Sequence, residues 1–386
     1  MESVLLGYEV CERMAYYGIS TNLVLYLTRE LHEGTVKSSN NVTNWGMCLL
    51  TLVVSLPSLK PPSCGKHVTY LDCDKRASSF QVGIFYCALY IVAVETWDGW
   101  NQAQYLDNGF LDKAAVKIKE VKEPVSKWNL CPVTQVEQTK QMLKMVPILF
   151  TTFIPSTLVA QTYTLFIKQG TTLVRSMGPH FEIPPACLAA FITISMLITI
   201  VVYDRYFIPL VKKYTKNPRG ITLLQRMAVG IALHVIIMII ASLVERRRLN
   251  VAKHHGIFQK GGIVPLSIFI LLPQFVLVGV ADNFLEVGKL EFFYDQAPKG
   301  MKSLGTAYFM TSLGVGYFLS SFILSTVANV TGRNGHKGWI LDNLNESHLD
   351  YYYVLFTVLC LLNFIFFLIA AKNFDYKAEV DGIVKE

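Results

Sequence analysis

Residues 221–244 read ITLLQRMAVGIALHVIIMIIASLV, a run of 24 residues in which Arg226 is the only charged residue. As a helix with a rise of about 1.5 Å per residue, it is long enough to cross a hydrocarbon core about 30 Å thick. Five other runs of similar character occupy the second part of the chain: Met145–Ile167, Pro185–Tyr203, Gly262–Phe284, Leu304–Ala328 and Tyr351–Ala371. The sequence therefore predicts six consecutive transmembrane helices. We expect the prolines within these runs to kink their helices, namely Pro147, Pro155, Pro265 and Pro273.

The composition argues against a soluble enzyme. Only 16% of the 386 residues are charged, 52% are hydrophobic and the mean hydropathy is +0.38, whereas soluble domains carry about 25% charged residues. The sequence contains no nucleophile elbow, P-loop or dinucleotide fingerprint. We expect a membrane protein whose partner is the lipid bilayer. We also expect that it is not an enzyme, uses no cofactor or metal and binds no nucleic acid.

Lys and Arg are distributed unequally between the two sides of the six spans. Twice as many lie in one set of segments (95–144, 204–220, 285–303 and the tail after Ala371) as in the alternate set (168–184, 245–261 and 329–350). Because cytoplasmic loops carry the excess of Lys and Arg, we expect residues 95–144 to be cytoplasmic. The sequence ERRR at residues 245–248 is an exception, since it falls on the opposite side.

The first part of the chain is less regular. Met1–Thr28 is long enough to cross a membrane, but Gly46–Leu59 and Phe80–Val94 are too short as helices, and we interpret them as half-spans. The predicted regions are an incomplete N-terminal transmembrane bundle at 1–94, a cytoplasmic linker at 95–144, a C-terminal six-helix bundle at 145–371 and a cytoplasmic tail at 372–386.

The eight cysteines show neither a C-x-x-C spacing nor a His-rich partner stretch, so their pattern does not predict a metal site. Cys64 and Cys73 share one polar loop, and they could form a disulfide if that loop faces an oxidising compartment.

Three ionisable residues lie close together in the first span. Glu9 and Arg13 are neighbours on one helical face, and Glu12 lies beside them. Charged groups at membrane depth face a bundle interior or a watery cavity and are candidates for proton relays or substrate sites. The alternative is a static ion pair that holds helices together.

The stretch EVCERMAYYG at residues 9–18 closely resembles the E-x-x-E-R-F/M-x-Y-Y-G signature of the proton-coupled oligopeptide transporter family, within the major facilitator superfamily. Three later stretches resemble the plant nitrate and peptide branch of that family. They are QTYTLFIKQG at 161–170, YDR at 203–205 and EFFYDQAP at 291–298 with MKS at 301–303.

This resemblance implies an all-α, polytopic membrane protein with the major facilitator superfamily fold and an incomplete N-terminal bundle. It implies proton-coupled symport of small peptides, nitrate or a related small solute, driven by the proton gradient across the plasma membrane or the vacuolar membrane. The residues that match proton-coupling positions are Glu9, Glu12 and Arg13, and those that match the substrate cavity are Tyr16 and Tyr17.

Two further substrate contacts are implied by the resemblance, each with an alternative. Asp282 matches an acidic residue that anchors a peptide amino group, or it caps the end of its helix. Gln161 matches a polar residue facing the cavity, or it forms a hydrogen bond between helices. His234 lies alone in an apolar run and is interpreted as a packed, hydrogen-bonded residue. The seventh helix contains no His of the kind found in some nitrate-transporting relatives, which weakens the nitrate interpretation.

Members of this family have twelve spans, and this chain lacks counterparts of the second, fifth and sixth helices and of parts of the third and fourth. Alternating access needs two bundles that rock against each other. An alternative hypothesis is therefore a truncated, transport-incompetent member that at most associates with full-length relatives.

Overall fold

The computed structural model describes seven stretches of the chain: residues 22–44, 133–178, 181–215, 220–257, 262–298, 301–333 and 338–374. The predicted coupling residues Glu9, Glu12 and Arg13 lie outside these stretches. The same holds for Tyr16 and Tyr17, for the cysteines Cys64 and Cys73, and for most of the predicted linker.

The described residues are mainly helical. In chain order the helices are α1 (22–29), α2 (35–44), α3 (Val133–Lys144), α4 (Val146–Thr151), α5 (Phe153–Thr162), α6 (Leu165–Gly170), α7 (Ala189–Val202), α8 (Ile208–Thr215), α9 (Leu223–His254), α10 (Leu272–Gln296), α11 (Lys302–Thr331) and α12 (Leu349–Lys372). Two short strands, β1 (Leu173–Val174) and β2 (Val264–Ser267), pair in parallel, with Leu173 opposite Val264. The all-α prediction therefore holds except for this small sheet.

The helices of residues 145–371 have the length and apolar character that the six predicted spans require, if one bent pair counts as a single span. Five helical stretches are long and apolar enough to cross a membrane: Pro185–Lys213, Leu223–His254, Ile268–Gln296, Lys302–Thr331 and Leu349–Lys372. The sixth is a bent pair, Val136–Thr151 and Phe153–Gly170. Several helices extend well beyond the apolar runs, because a helix continues into water as long as its polar residues favour that conformation.

The predicted proline kinks are correct only in part. The first span breaks at Thr152, between Pro147 and Pro155. Pro273 lies in the first turn of α10, where a missing N–H costs no hydrogen bond. Pro265 was expected inside a helix but lies in strand β2, and α10 begins only after it.

The outer faces of the long helices are apolar. In α12, large side chains at every turn are about half exposed, among them Val354, Val358, Leu362 and Ile369. In α7, Leu197 is likewise 59% exposed. A hydrophobic surface on this scale requires a hydrophobic surrounding, which here is the acyl chain region of a bilayer.

The chain divides into two compact units. Of the described residues, the first unit contains those within 22–44, 151–289 and 313–369, and the second contains those within 133–150, 290–312 and 370–374. The first unit contains a large cluster of buried apolar residues drawn from α5 to α7 and α9 to α12, including Phe166, Phe275, Tyr352 and Phe356.

Helices of the first unit approach each other closely at glycine residues. A Cβ on Gly279 of α10 would overlap the carbonyl oxygen of Ile192 in α7, and a Cβ on Gly316 of α11 would overlap Ser156 in α5. Small residues at such crossings allow backbones to pack directly, which is the usual way in which helices associate in membranes.

In the same unit, the hairpin of α1 and α2 is bonded to the end of α6 and to the loop between α11 and α12. The backbone N–H of Thr35 donates to Asp342 Oδ1 at 2.6 Å, its hydroxyl donates to the carbonyl oxygen of Leu341 at 3.0 Å, and Lys168 donates to the same hydroxyl. Further along α2, Asn40 donates to Ser325 at 2.7 Å.

The second unit has its own contacts. Gln141 of α3 donates to the carbonyl oxygen of Gln296 at 2.9 Å. The FFY part of the EFFYDQAP stretch supplies Phe292 and Phe293, which are fully buried and make edge-on ring contacts with Phe374 and Tyr308, respectively.

Candidate functional site

A group of polar side chains lies in the middle of the first unit, within helices that are otherwise apolar. Asp282, Glu286 and Lys289 follow one another along one face of α10, since residues four and three positions apart are neighbours on a helix. His234 of α9 faces this stripe, and Ser156 of α5 closes it. Ionisable groups at this depth mark functional sites in membrane proteins.

Glu286 and Lys289 form an ion pair, with the two carboxylate oxygens of Glu286 at 2.9 and 2.8 Å from the ammonium nitrogen of Lys289. Lys289 is fully buried and also donates to Ser156 Oγ at 3.2 Å. Removing either partner would leave an uncompensated charge inside the protein, which costs about 3–5 kcal/mol. The pair is therefore a fixed part of the site.

Asp282 lies eleven residues into α10, because the helix continues through Leu285 and ends only at Gln296. The alternative in which Asp282 caps the helix end is therefore wrong. The carboxylate lies with its Oδ1 at 3.9 Å from His234 Nε2, and its side chain is only 16% exposed. Among the described residues, that oxygen has no hydrogen-bond partner.

His234 is packed and hydrogen-bonded, as predicted. Its side chain is 1% exposed, and its Nδ1 lies 2.8 Å from the carbonyl oxygen of Gly230, one turn earlier in α9. That its other ring nitrogen faces Asp282 could not be predicted, because 47 residues lie between the two in the chain.

Gln161 is fully buried in α5 and joins three helices. Its Nε2 donates to Ser320 Oγ of α11 at 2.8 Å and to the hydroxyl of Tyr352 in α12 at 2.9 Å. The structure therefore shows the interhelical hydrogen bond considered as the alternative. Its Oε1 has no partner among the described residues, and its role toward substrate stays a prediction.

A second buried network lies near the end of α9. Arg248 donates from Nε and Nη2 to the two carboxylate oxygens of Glu245 at 2.8 and 2.6 Å, and both side chains are fully buried. Its Nη1 also donates to Thr172 and Asn345, and its Nη2 to the carbonyl oxygen of Leu344.

This network was missed because ERRR at 245–248 was interpreted as loop charges. The helix instead continues to His254, so Glu245 and Arg248 face inward while Arg246 and Arg247 remain exposed. The i,i+3 spacing of Glu245 and Arg248 was the available signal. The network also joins the end of α9 to the segments 168–184 and 329–350, so that these three parts of the chain lie at the same end of the first unit.

The YDR stretch lies in a π-helical turn between α7 and α8. Tyr203 is buried, and the guanidinium of Arg226 lies over its ring, 4.6 Å from the centroid. Arg226 donates in turn to the backbone oxygen of Asn283, the residue after Asp282. The YDR stretch is thus connected to α10, the helix that carries Asp282, Glu286 and Lys289.

Residues 95–340 match the model of the POT family. The chain is 40% identical to protein NRT1/PTR family 5.2 of Arabidopsis thaliana, over 99% of this chain and 92% of that protein. It is also 40% identical to protein NRT1/PTR family 5.3 of the same plant, over 98% and 91%. The chain belongs to the POT family.

The alignment with the first of these relatives runs over 544 positions, whereas this POT family protein has 386 residues. The relative therefore carries residues that have no counterpart here. A solved structure described as an auto-inhibited POT family peptide transporter shares the fold, with a TM-score of 0.54 at 16% identity. The likeness covers 93% of this chain but only 57% of that one.

Proposed function

We propose that this POT family protein is a secondary active transporter that couples the uptake of a small peptide or a related small solute to protons. The observation that carries the proposal is Asp282, a carboxylate in the middle of a membrane-spanning helix whose Oδ1 has no partner among the described residues. A carboxylate held in this way attracts the ammonium group of a zwitterionic solute.

The charges of the site favour a peptide over nitrate. Of the described residues, Arg248 and Lys289 are the Lys and Arg side chains that are fully buried, and each is paired with a glutamate. Neither is available to hold a small anion without breaking its ion pair. Asp282 would itself repel nitrate, whereas an amino group would compensate its charge.

Proton coupling is assigned in this proposal to Glu9, Glu12 and Arg13, on the strength of the signature that contains them. Tyr16 and Tyr17 of the same signature would line the substrate cavity. The proton gradient across the plasma membrane or the vacuolar membrane would supply the energy, without a cofactor.

The proposal is tested by uptake of labelled dipeptides into a heterologous cell that expresses the chain. Uptake should rise when the outside is acidified. Asp282→Asn should raise the KM for peptides, and Glu12→Gln should remove the dependence on the proton gradient. Glu30→Gln, at an exposed position, is the matched control and should leave uptake unchanged. Uptake that is insensitive to both site variants would refute the proposal.

A second candidate function is a transport-incompetent member that associates with full-length relatives. The observation in its favour is the alignment of 544 positions against a chain of 386 residues, because alternating access needs two bundles. A chain that inserts correctly, shows no uptake and co-purifies with a full-length relative would support this function. Uptake by the chain expressed alone would exclude it.

A further inference from the structure

The contacts of His234 and Asp282 determine which of their side-chain atoms carry a proton. The carbonyl oxygen of Gly230 can only accept a hydrogen bond, so His234 Nδ1, at 2.8 Å from it, must carry a hydrogen and donate. In a neutral imidazole the other nitrogen, Nε2, is then a bare lone pair. That lone pair faces Asp282 Oδ1 at 3.9 Å.

Two acceptors facing each other in a buried site repel, unless a proton lies on one of them. Asp282 Oδ1 has no hydrogen-bond partner among the described residues that could stabilise a bare carboxylate. His234 is itself almost completely buried. We infer that His234 and Asp282 together form a proton-binding site, which holds one proton either on His234 Nε2 or on Asp282 Oδ1.

The neighbouring charges support this inference. The charged groups that interact electrostatically with both residues are Glu286 and Lys289, which are paired with each other. Their charges cancel, so the stripe is neutral when the pair holds its proton and carries one net negative charge when the proton is lost. An uncompensated charge at membrane depth is costly, and this cost favours the protonated pair.

The other helices packed against the pair bring no additional charge, as far as the described residues show. From α5, Ser156 contributes a hydroxyl to Lys289, and α7 meets α10 at Gly279 through Ile192 and Ser195. On α9, Arg226 lies two turns before His234 and is engaged with Asn283 and the ring of Tyr203. Among the described residues, His234 and Asp282 are therefore the groups that can hold this proton.

The site would also connect substrate and proton, a step that rests on the proposed function. When a substrate ammonium approaches Asp282, the carboxylate is stabilised in its charged form. The O–H bond of Asp282 breaks and an N–H bond forms at His234 Nε2, so that the proton stays in the pair. Substrate binding would thus shift a proton from Asp282 to His234, at a place in the fold separate from the signature of the first span.

The inference is tested on the full chain in lipid nanodiscs, without any substrate. Asp282 is followed by the infrared carbonyl stretch of its protonated carboxyl, identified as the band missing in Asp282→Asn. His234 is followed by its ring nitrogen resonances, identified as the signals missing in His234→Gln. Both signals are recorded as the pH is changed.

Coupling between two sites is reciprocal, so each variant must move the titration of the other residue by the same amount. We expect His234→Gln to shift the midpoint of Asp282, and Asp282→Asn that of His234, by at least about one pH unit, or about ten-fold in proton affinity. His255→Gln, an exposed histidine after α9, is the control and should shift neither midpoint.

Two results would overturn the inference: midpoints that do not move when the partner is removed, or an Asp282 that remains ionised beside a neutral His234 throughout. If Asp282→Asn fails to fold, Asp282→Glu identifies the band by its shifted frequency and should preserve the coupling. Because no transport is measured, a loss of uptake would refute the proposed function and leave this result intact.

Discussion

Arg248 offers the sharpest test of how the first unit is stabilised. Replacing it by Met removes a guanidinium that makes five hydrogen bonds between 2.6 and 3.1 Å. Glu245 would then remain fully buried without its counter-charge. Breaking a buried ion pair in this way costs about 3–5 kcal/mol. For a chain of 386 residues we expect the midpoint of thermal unfolding to fall by about 4 to 6 °C.

The assay is thermal unfolding of the purified chain in lipid nanodiscs. Arg247→Met is a matched control, since the neighbouring side chain in the same helix is exposed. Combining Arg248→Met with Glu245→Leu should recover part of the lost stability, because no charge is then left unpaired in the interior. The reasoning is refuted if Arg248→Met and Arg247→Met unfold at the same temperature, or if the double variant is less stable than Arg248→Met.

Two further predictions concern helix contacts. Gly279→Ala should destabilise the chain by about 1–3 kcal/mol, because the new Cβ overlaps the carbonyl oxygen of Ile192, whereas Gly314→Ala meets nothing within 4 Å and should stabilise its helix by up to about 1 kcal/mol. Equal unfolding temperatures for the two variants would contradict this. Asp342→Ala removes the acceptor of the Thr35 N–H, and amide exchange at Thr35 should become about ten-fold faster. An unchanged exchange rate at Thr35 would show that its hydrogen bond to Asp342 does not protect this amide.

The spans could be predicted from the sequence because hydrophobic length is a local property. Each of the six predicted runs overlaps a helix, or a bent helix pair, that is long and apolar enough to cross a membrane. The ends of the helices could not be predicted in the same way. Residues Leu285 to Gln296 are mixed in polarity, and they still continue α10. That misplaced end is the reason why capping seemed a reasonable alternative for Asp282.

The contacts within the site could not be predicted, because they join residues that are distant in the chain. Gln169 donates to Glu245 at 2.6 Å, and Asn345 accepts from Arg248 at 2.7 Å. Asn345 lies in the polar sequence Asn345-Glu346-Ser347, yet its side chain is almost completely buried. Nothing in the local sequence distinguishes such a buried asparagine from a solvated one.

The two buried polar groups of α9 differ in a way that separates stability from function. Around Arg248 the bonds are short and the guanidinium is saturated with acceptors, so that its protonation and position are fixed. At His234 the facing atoms are 3.9 Å apart, and the carboxylate oxygen has no other partner among the described residues. In a network whose polar atoms are all hydrogen-bonded, a ligand adds no further hydrogen bond. In an incomplete network, a proton or an ammonium group supplies the missing interaction. We therefore assign the stability of the first unit to Glu245 and Arg248, and its capacity to respond to protons and substrate to His234 and Asp282.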